Sequence, residues 1–81
     1  MLKLYQAEWC PYCARVRSRM TDLGITYINV NVPRNKQERT ELLNISGKAG
    51  IPTLVDGDLI IADDDDAIID HLEKNYSKSA V

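Results

Sequence analysis

The sequence predicts an α/β fold with the order β-α-β-α-β-β-α, a four-stranded mixed sheet flanked by three helices, within one domain over residues 1–81. Three observations predict it. Short runs rich in β-branched or alternating apolar residues recur between segments whose apolar residues fall at helical spacing. Two of these runs are separated only by Asp56-Gly57-Asp58, a hairpin signal. A chain of 81 residues can also build only one small core.

Residues 2–5, Leu-Lys-Leu-Tyr, alternate and are few, as in a half-buried strand. After Cys10-Pro11-Tyr12-Cys13, the residues Val16, Met20 and Leu23 recur at i, i+4 and i+7. That spacing makes a helix with its arginines toward water and Gly24 as its stop. Residues 25–32 are rich in β-branched side chains, alternate from Ile28 onward and end at Pro33, so they read as a strand. Residues 35–45 read as a second helix, with Leu42 and Ile45 as apolar contacts and Gly47 past its end. Its polar first half, residues 34–39, is expected on the surface. Thr53–Asp56 and Leu59–Ala62 form the hairpin, and the run Asp63-Asp64-Asp65-Asp66 opens a third helix with Ile68, Leu72 and Tyr76 as one stripe. Residues 77–81 are expected to fray. The first β-α-β unit implies a right-handed parallel crossover, and the last two strands an antiparallel pair.

Composition removes several classes of function. Ten Lys and Arg against twelve Asp and Glu give a net charge of −2, which disfavours nucleic acid or an anionic membrane as a partner. No apolar run approaches the roughly 20 residues of a membrane helix. The first residues turn polar too quickly for a signal peptide. Two cysteines are fewer than a secreted domain of this size usually carries. A cytoplasmic monomer is therefore expected, in a compartment where a close cysteine pair is more often catalytic or metal-binding than structural.

The chemistry concentrates at Cys10 and Cys13. Pro11 suits the first position of a helix, where a missing N–H costs nothing, and this makes Cys10 the N-cap. A Cys10 thiolate there meets the free amides of the first turn and the positive end of the helix dipole, both of which favour the charged sulfur. Cys13 lies one turn further in and more enclosed, so Cys10 is expected to attack and Cys13 to resolve. A structural disulfide across four residues would constrain little of the unfolded chain. A mononuclear zinc site wants four ligands, and beyond the cysteines only His71 and carboxylates remain; His71 reads as a surface histidine. No metal is expected. A working dithiol is the favoured reading, because the C-x-x-C follows a strand and opens a helix inside a β-α-β pattern.

Cys-Pro-Tyr-Cys on this strand–helix frame resembles the active-site motif of the dithiol glutaredoxins, and the resemblance runs from about Leu2 to Tyr76. The order of elements resembles the thioredoxin fold in its short, glutaredoxin form. Gly50-Ile51-Pro52-Thr53 resembles the family's segment whose proline is cis and faces the active-site sulfurs. Gly57 and the helix opening at Asp63-Asp64 resemble the segment that holds the γ-glutamyl end of glutathione. The last segment also resembles the amino-terminal domain of glutathione transferases.

The resemblance implies a glutathione-dependent thiol–disulfide oxidoreductase acting on protein disulfides and glutathione mixed disulfides. Glutathione is the implied reductant. Cys10 and Cys13 are the implied catalytic residues, and Tyr12, Ile51, Pro52, Asp63 and Asp64 would bind glutathione. In that role the Ile51 backbone pairs with the ligand's cysteine, as in strand addition. The ring of Tyr12 flanks the bound thiol, helix amides take the ligand's α-carboxylate, and an aspartate takes its ammonium. On residue chemistry alone, the aspartate run serves equally well as a helix cap, and Asp65 and Asp66 read as a solvated face.

The sequence also departs from the family pattern. Ala7 stands where many members carry a lysine for the glycyl carboxylate, and Ile61-Ala62 replaces the usual Gly-Gly. Arg39 and Lys48 are the candidates for the missing positive charge. Trp9 is either an exposed aromatic lip for protein substrates or a packing residue. These departures leave thioredoxin reductase, or a different small thiol, open as the electron source. The rival of another class is a [2Fe–2S] cluster-binding module ligated by Cys10 and glutathione, against which Pro11 counts.

Overall fold

The structure, a computed structural model, describes residues 1–76. The predicted order of elements is observed. Strands β1 (Lys3–Gln6), β2 (Ile28–Asn31), β3 (Thr53–Asp56) and β4 (Leu59–Ala62) form one sheet in the order β2-β1-β3-β4. β1 runs parallel to β2, from Lys3 opposite Ile28, and antiparallel to β3, with Leu4 opposite Leu54. β3 and β4 close an antiparallel hairpin in which Asp56 faces Leu59. Gly57, at φ +61°, supplies the positive φ that a two-residue turn of the II′ type needs at its first central position. The helices are α1 (Pro11–Asp22), α2 (Thr40–Ser46) and α3 (Asp65–Tyr76).

Alternation along β1 sorts the layers. Leu2 and Leu4, with Leu54 of β3, face Val16 and Met20 of α1 and Ile68 and Leu72 of α3, and all of these are buried. Full burial of such side chains stabilises by roughly 1.5–3 kcal/mol each. On the other face the buried Tyr5 donates its hydroxyl to Glu41 of α2. Burial first, and then Glu41, raise the Tyr5 phenol to about 12, so it remains a donor.

The structure corrects five expectations. β2 starts at Ile28 because Gly24, at φ +69°, and Ile25 still belong to the end of α1. The Ile25 amide donates to the Met20 carbonyl at 2.9 Å and the Gly24 amide to that of Thr21 at 3.0 Å, a Schellman cap. The helix expected over residues 35–45 is split. Asn35 caps a short 3-10 turn (Lys36–Glu38), and α2 begins only at Thr40. At the break Arg39 turns inward, 2% exposed, and donates to the carbonyls of Pro33 (2.7 Å), Ala49 (2.8 Å) and Arg34 (3.2 Å). The polar stretch is therefore not all surface.

His71 is half-buried rather than a surface histidine. Its Nε2 lies 2.9 Å from Asp56 Oδ2, which also accepts from the Tyr76 hydroxyl at 2.8 Å. His71 first, then Tyr76, hold the Asp56 carboxyl below its ordinary value. On α1, Arg17 is half-buried instead of facing water. The fraying expected for residues 77–81 lies outside the described residues.

Candidate active site

β1 delivers the chain to one end of the sheet, where a turn at residues 7–9 leads into α1. Cys10 is the N-cap, at φ −83° and ψ 118°, and Pro11 is the first helical residue. The Cys13 amide donates to Cys10 Sγ at 3.3 Å. This contact and the helix dipole favour negative charge on that sulfur. Both thiols are free, Cys10 5% exposed and Cys13 0%.

The main chain of one residue, Ala7, serves both cysteines. The Ala7 carbonyl accepts from the Cys10 amide at 3.2 Å, and the Ala7 amide faces the Cys13 sulfur. Burial, followed by the hydrogen bond to Cys10, pushes the Cys13 thiol up to about 12, while Ala7 and the Arg17 guanidinium pull it down. Cys13 is thus a protonated thiol while Cys10 is free. Tying Cys10 into a disulfide removes the Cys10 contribution and leaves Arg17 and Ala7 acting against burial.

Arg17 sits four residues after Cys13, on the same face of α1. It donates to Gln6 Oε1 and, at 3.3 Å, to the Ala7 carbonyl, and its Nε lies 3.6 Å from Glu8. Gln6, fully buried, donates its amide to Asn31 at 2.7 Å and to Glu8 at 3.1 Å. This polar network beneath the motif escaped the sequence reading. The i, i+4 spacing of Cys13 and Arg17 was its available signal.

A second segment meets the cysteines from β3. Ile51 packs against Ala7, Cys10 and Cys13, and the Ile51–Pro52 peptide bond is cis. Thr53 Oγ1 donates to the Gly50 carbonyl at 3.0 Å. Across the hairpin, the Asp63 amide donates to the Pro52 carbonyl at 3.0 Å and lies 3.3 Å from Thr53 Oγ1. Asp63, at φ +54°, lays its carboxylate against Gly50, where a Cβ would come within 2.2 Å of it. Glycine is required there by space. Asp64 is the N-cap of α3, accepting from the Ala67 amide at 3.0 Å.

Cys10, Cys13, Ile51, Pro52 and Asp63 are thus linked by direct contacts at one end of the sheet. Asp64 adjoins them, and Tyr12 stands 60% exposed on the first turn of α1. Asp65 and Asp66 are not simply solvated: Arg15 of α1 reaches them at 2.7 and 2.6 Å and ties α1 to α3. Arg39 spends its donors on backbone carbonyls and is not free for a ligand. Among the described residues, no cluster of three or more His, Cys, Asp or Glu side chains is placed to hold a metal ion.

Comparison with known proteins bears on the same residues. The model of the glutathione S-transferase N-terminal domain family matches residues 4–80. The chain belongs to that family. Proteins similar to it in sequence include glutaredoxin-like ones. An uncharacterized glutaredoxin-like 8.6 kDa protein of the rubredoxin operon of Clostridium pasteurianum is 31% identical over 75% of this chain and 83% of its own length. Glutaredoxin 3 of Escherichia coli is 27% identical over 65% of this chain and 64% of its own. Among solved structures, glutathione transferase E6 of Drosophila melanogaster superposes with a TM-score of 0.85 at 32% identity over 98% of this chain. The chain spans 36% of that transferase. The fold is that of a glutaredoxin-like, thioredoxin-fold member of the glutathione S-transferase N-terminal domain family.

Proposed function

We propose that the protein is a glutathione-dependent thiol–disulfide oxidoreductase of the glutaredoxin type, working in the reducing cytoplasm. The observation that carries this reading is the pair of free thiols at the start of α1, with the Cys13 amide donating to Cys10 Sγ at 3.3 Å. The names of the relatives, glutaredoxins and glutathione transferases, support glutathione as the small thiol.

The Cys10 thiolate attacks one sulfur of a substrate disulfide. The S–S bond breaks, the departing thiolate takes a proton from water, and a mixed disulfide with Cys10 remains. From there a protein disulfide is fully reduced when Cys13 loses its proton to water and attacks the Cys10 sulfur. That step expels the second substrate thiol and leaves a Cys10–Cys13 disulfide. Two glutathione molecules then supply two electrons: the first forms a mixed disulfide with Cys10, and the second leaves with it as glutathione disulfide. For a glutathione mixed disulfide, glutathione itself replaces Cys13. The Ile51 backbone pairs with the cysteine of the bound peptide thiol, with Tyr12 beside it and Pro52 against the sulfurs. Because Asp64 already caps α3, Asp63 is the carboxylate that takes the ligand's ammonium.

The test is turnover of a small glutathione mixed disulfide with glutathione as reductant, beside the same assay with thioredoxin reductase. Cys10→Ser should abolish turnover; full activity in that variant refutes the assignment. Cys13→Ser should retain turnover of the glutathione mixed disulfide and lose reduction of protein disulfides. The match to transferase N-terminal domains supports a second reading, conjugation of glutathione to an electrophile. Conjugation without mixed-disulfide turnover would favour it.

A further inference from the structure

Trp9 precedes the nucleophile and is 50% exposed, and the Arg34 guanidinium lies over its ring, 4.7 Å from the centroid. A cation over the face of an indole is attracted by the ring's quadrupole, a contact that uses no hydrogen-bond acceptor. Among the described residues the neighbouring cations are spent otherwise. Arg15 is held by Asp65 and Asp66, Arg17 by Gln6, Ala7 and Glu8, and Arg39 by three carbonyls. Among the described residues, Arg34 has no carboxylate within ion-pair distance, and its side-chain N–H groups meet no acceptor. Among the described residues it is the arginine held beside the nucleophile's neighbour with its donors open.

The surroundings suit a peptide. Tyr12, 60% exposed, follows Cys10 in the chain as Trp9 precedes it, so the nucleophile is bordered on both sides in sequence by a large exposed aromatic residue. Exposed aromatics beside an arginine are the anchors that protein partners bury. We propose that Trp9 and Arg34 form a docking lip for protein substrates that carry an Asp or Glu side chain close to the disulfide under attack. The inference rests on the oxidoreductase reading above and adds the substrate class. The ring holds the guanidinium in place before binding, and the substrate carboxylate pairs with its open edge.

The experiment uses the full chain and one cysteine-containing hexapeptide carried as its glutathione mixed disulfide, in two versions with Glu or Gln beside the cysteine. The quantity read is the ratio of kcat/KM for Glu over Gln. In the parent protein it should be roughly two- to fivefold, the range of an exposed ion pair, and should fall with added salt. Arg34→Gln and Trp9→Ala should bring the ratio to about one, and Arg34→Lys should keep part of it. A parallel arm compares glutathione with its glycine-amide analogue as reductant. If Arg34→Gln alters that comparison and not the peptide ratio, the guanidinium reads the small thiol's carboxylate and the protein-substrate proposal falls. A ratio of one in the parent protein also overturns it, with turnover intact. If no mixed disulfide is turned over at all, the oxidoreductase reading fails first and takes this inference with it.

Discussion

Gly50→Ala tests how the second half of the site is assembled. The added Cβ would lie 2.2 Å from Asp63 Cγ and Oδ2, whereas ordinary contact begins at 3.4 Å, so the carboxylate must retreat by about 1.2 Å. The Asp63 backbone cannot follow freely, because its amide is tied to Pro52 and Thr53 on the neighbouring strand. The cost should resemble overpacking in a tight site, about 1–3 kcal/mol in urea unfolding. The KM for a glutathione mixed disulfide should rise more than kcat falls, since Asp63 is assigned to binding. Asp63→Gly removes the carboxylate and suits the positive φ of 54°. In that background Gly50→Ala should be neutral, or even stabilising through the unfolded chain. Equal cost in both backgrounds would refute the claim that Gly50 is needed for the Asp63 carboxylate.

Arg17→Met should slow reduction of protein disulfides at neutral pH by up to about tenfold and move its pH profile upward, because Cys13 loses a positive neighbour. Glutathione mixed-disulfide turnover, which bypasses Cys13, should keep its profile, and Arg17→Lys should shift the protein-disulfide profile less than Arg17→Met does. Asp56→Asn should cost about 1–2 kcal/mol at pH 7 through the lost bonds to His71 and Tyr76. The Asp56 carboxyl is held below its ordinary 3.8 in the fold, so its contribution is full above that value and fades as pH falls through the lowered one. In acid titration the parent should therefore keep its advantage over the variant down to about pH 4 and lose it only as the pH falls through the lowered value. Arg39→Met leaves three carbonyls without their donor and should cost about 2–4 kcal/mol, read as a fall in Tm of about 8 °C or more.

The legible parts of this fold are those where local chemistry and tertiary demand agree. Cys10-Pro11 fixes a helix start by itself, and the hairpin bounds follow from Asp56-Gly57-Asp58 between two apolar runs. The Val16, Met20, Leu23 stripe predicts which face of α1 is buried because a helix has only one such face. The less legible parts depend on partners distant in sequence. Arg39 looks like a solvated charge until Pro33 and Ala49 bring carbonyls to it, and its inward turn is what splits the second helix. β2 loses its first residues to a helix cap whose acceptors lie on α1. In the site, the dithiol was readable from spacing, whereas the Gln6–Arg17–Glu8 network and the Arg34–Trp9 pair arise only when the chain folds.

The main chain of Ala7 has a broader consequence. Its carbonyl takes the Cys10 amide and its N–H faces the Cys13 sulfur, so both holds on the dithiol are made by main-chain atoms. Main-chain atoms are indifferent to the side chain carried between them. What limits position 7 is space: Ala7 is 4% exposed and packed against Cys10, Cys13 and Ile51, so a small side chain leaves these main-chain holds in place and a large one must push the dithiol aside.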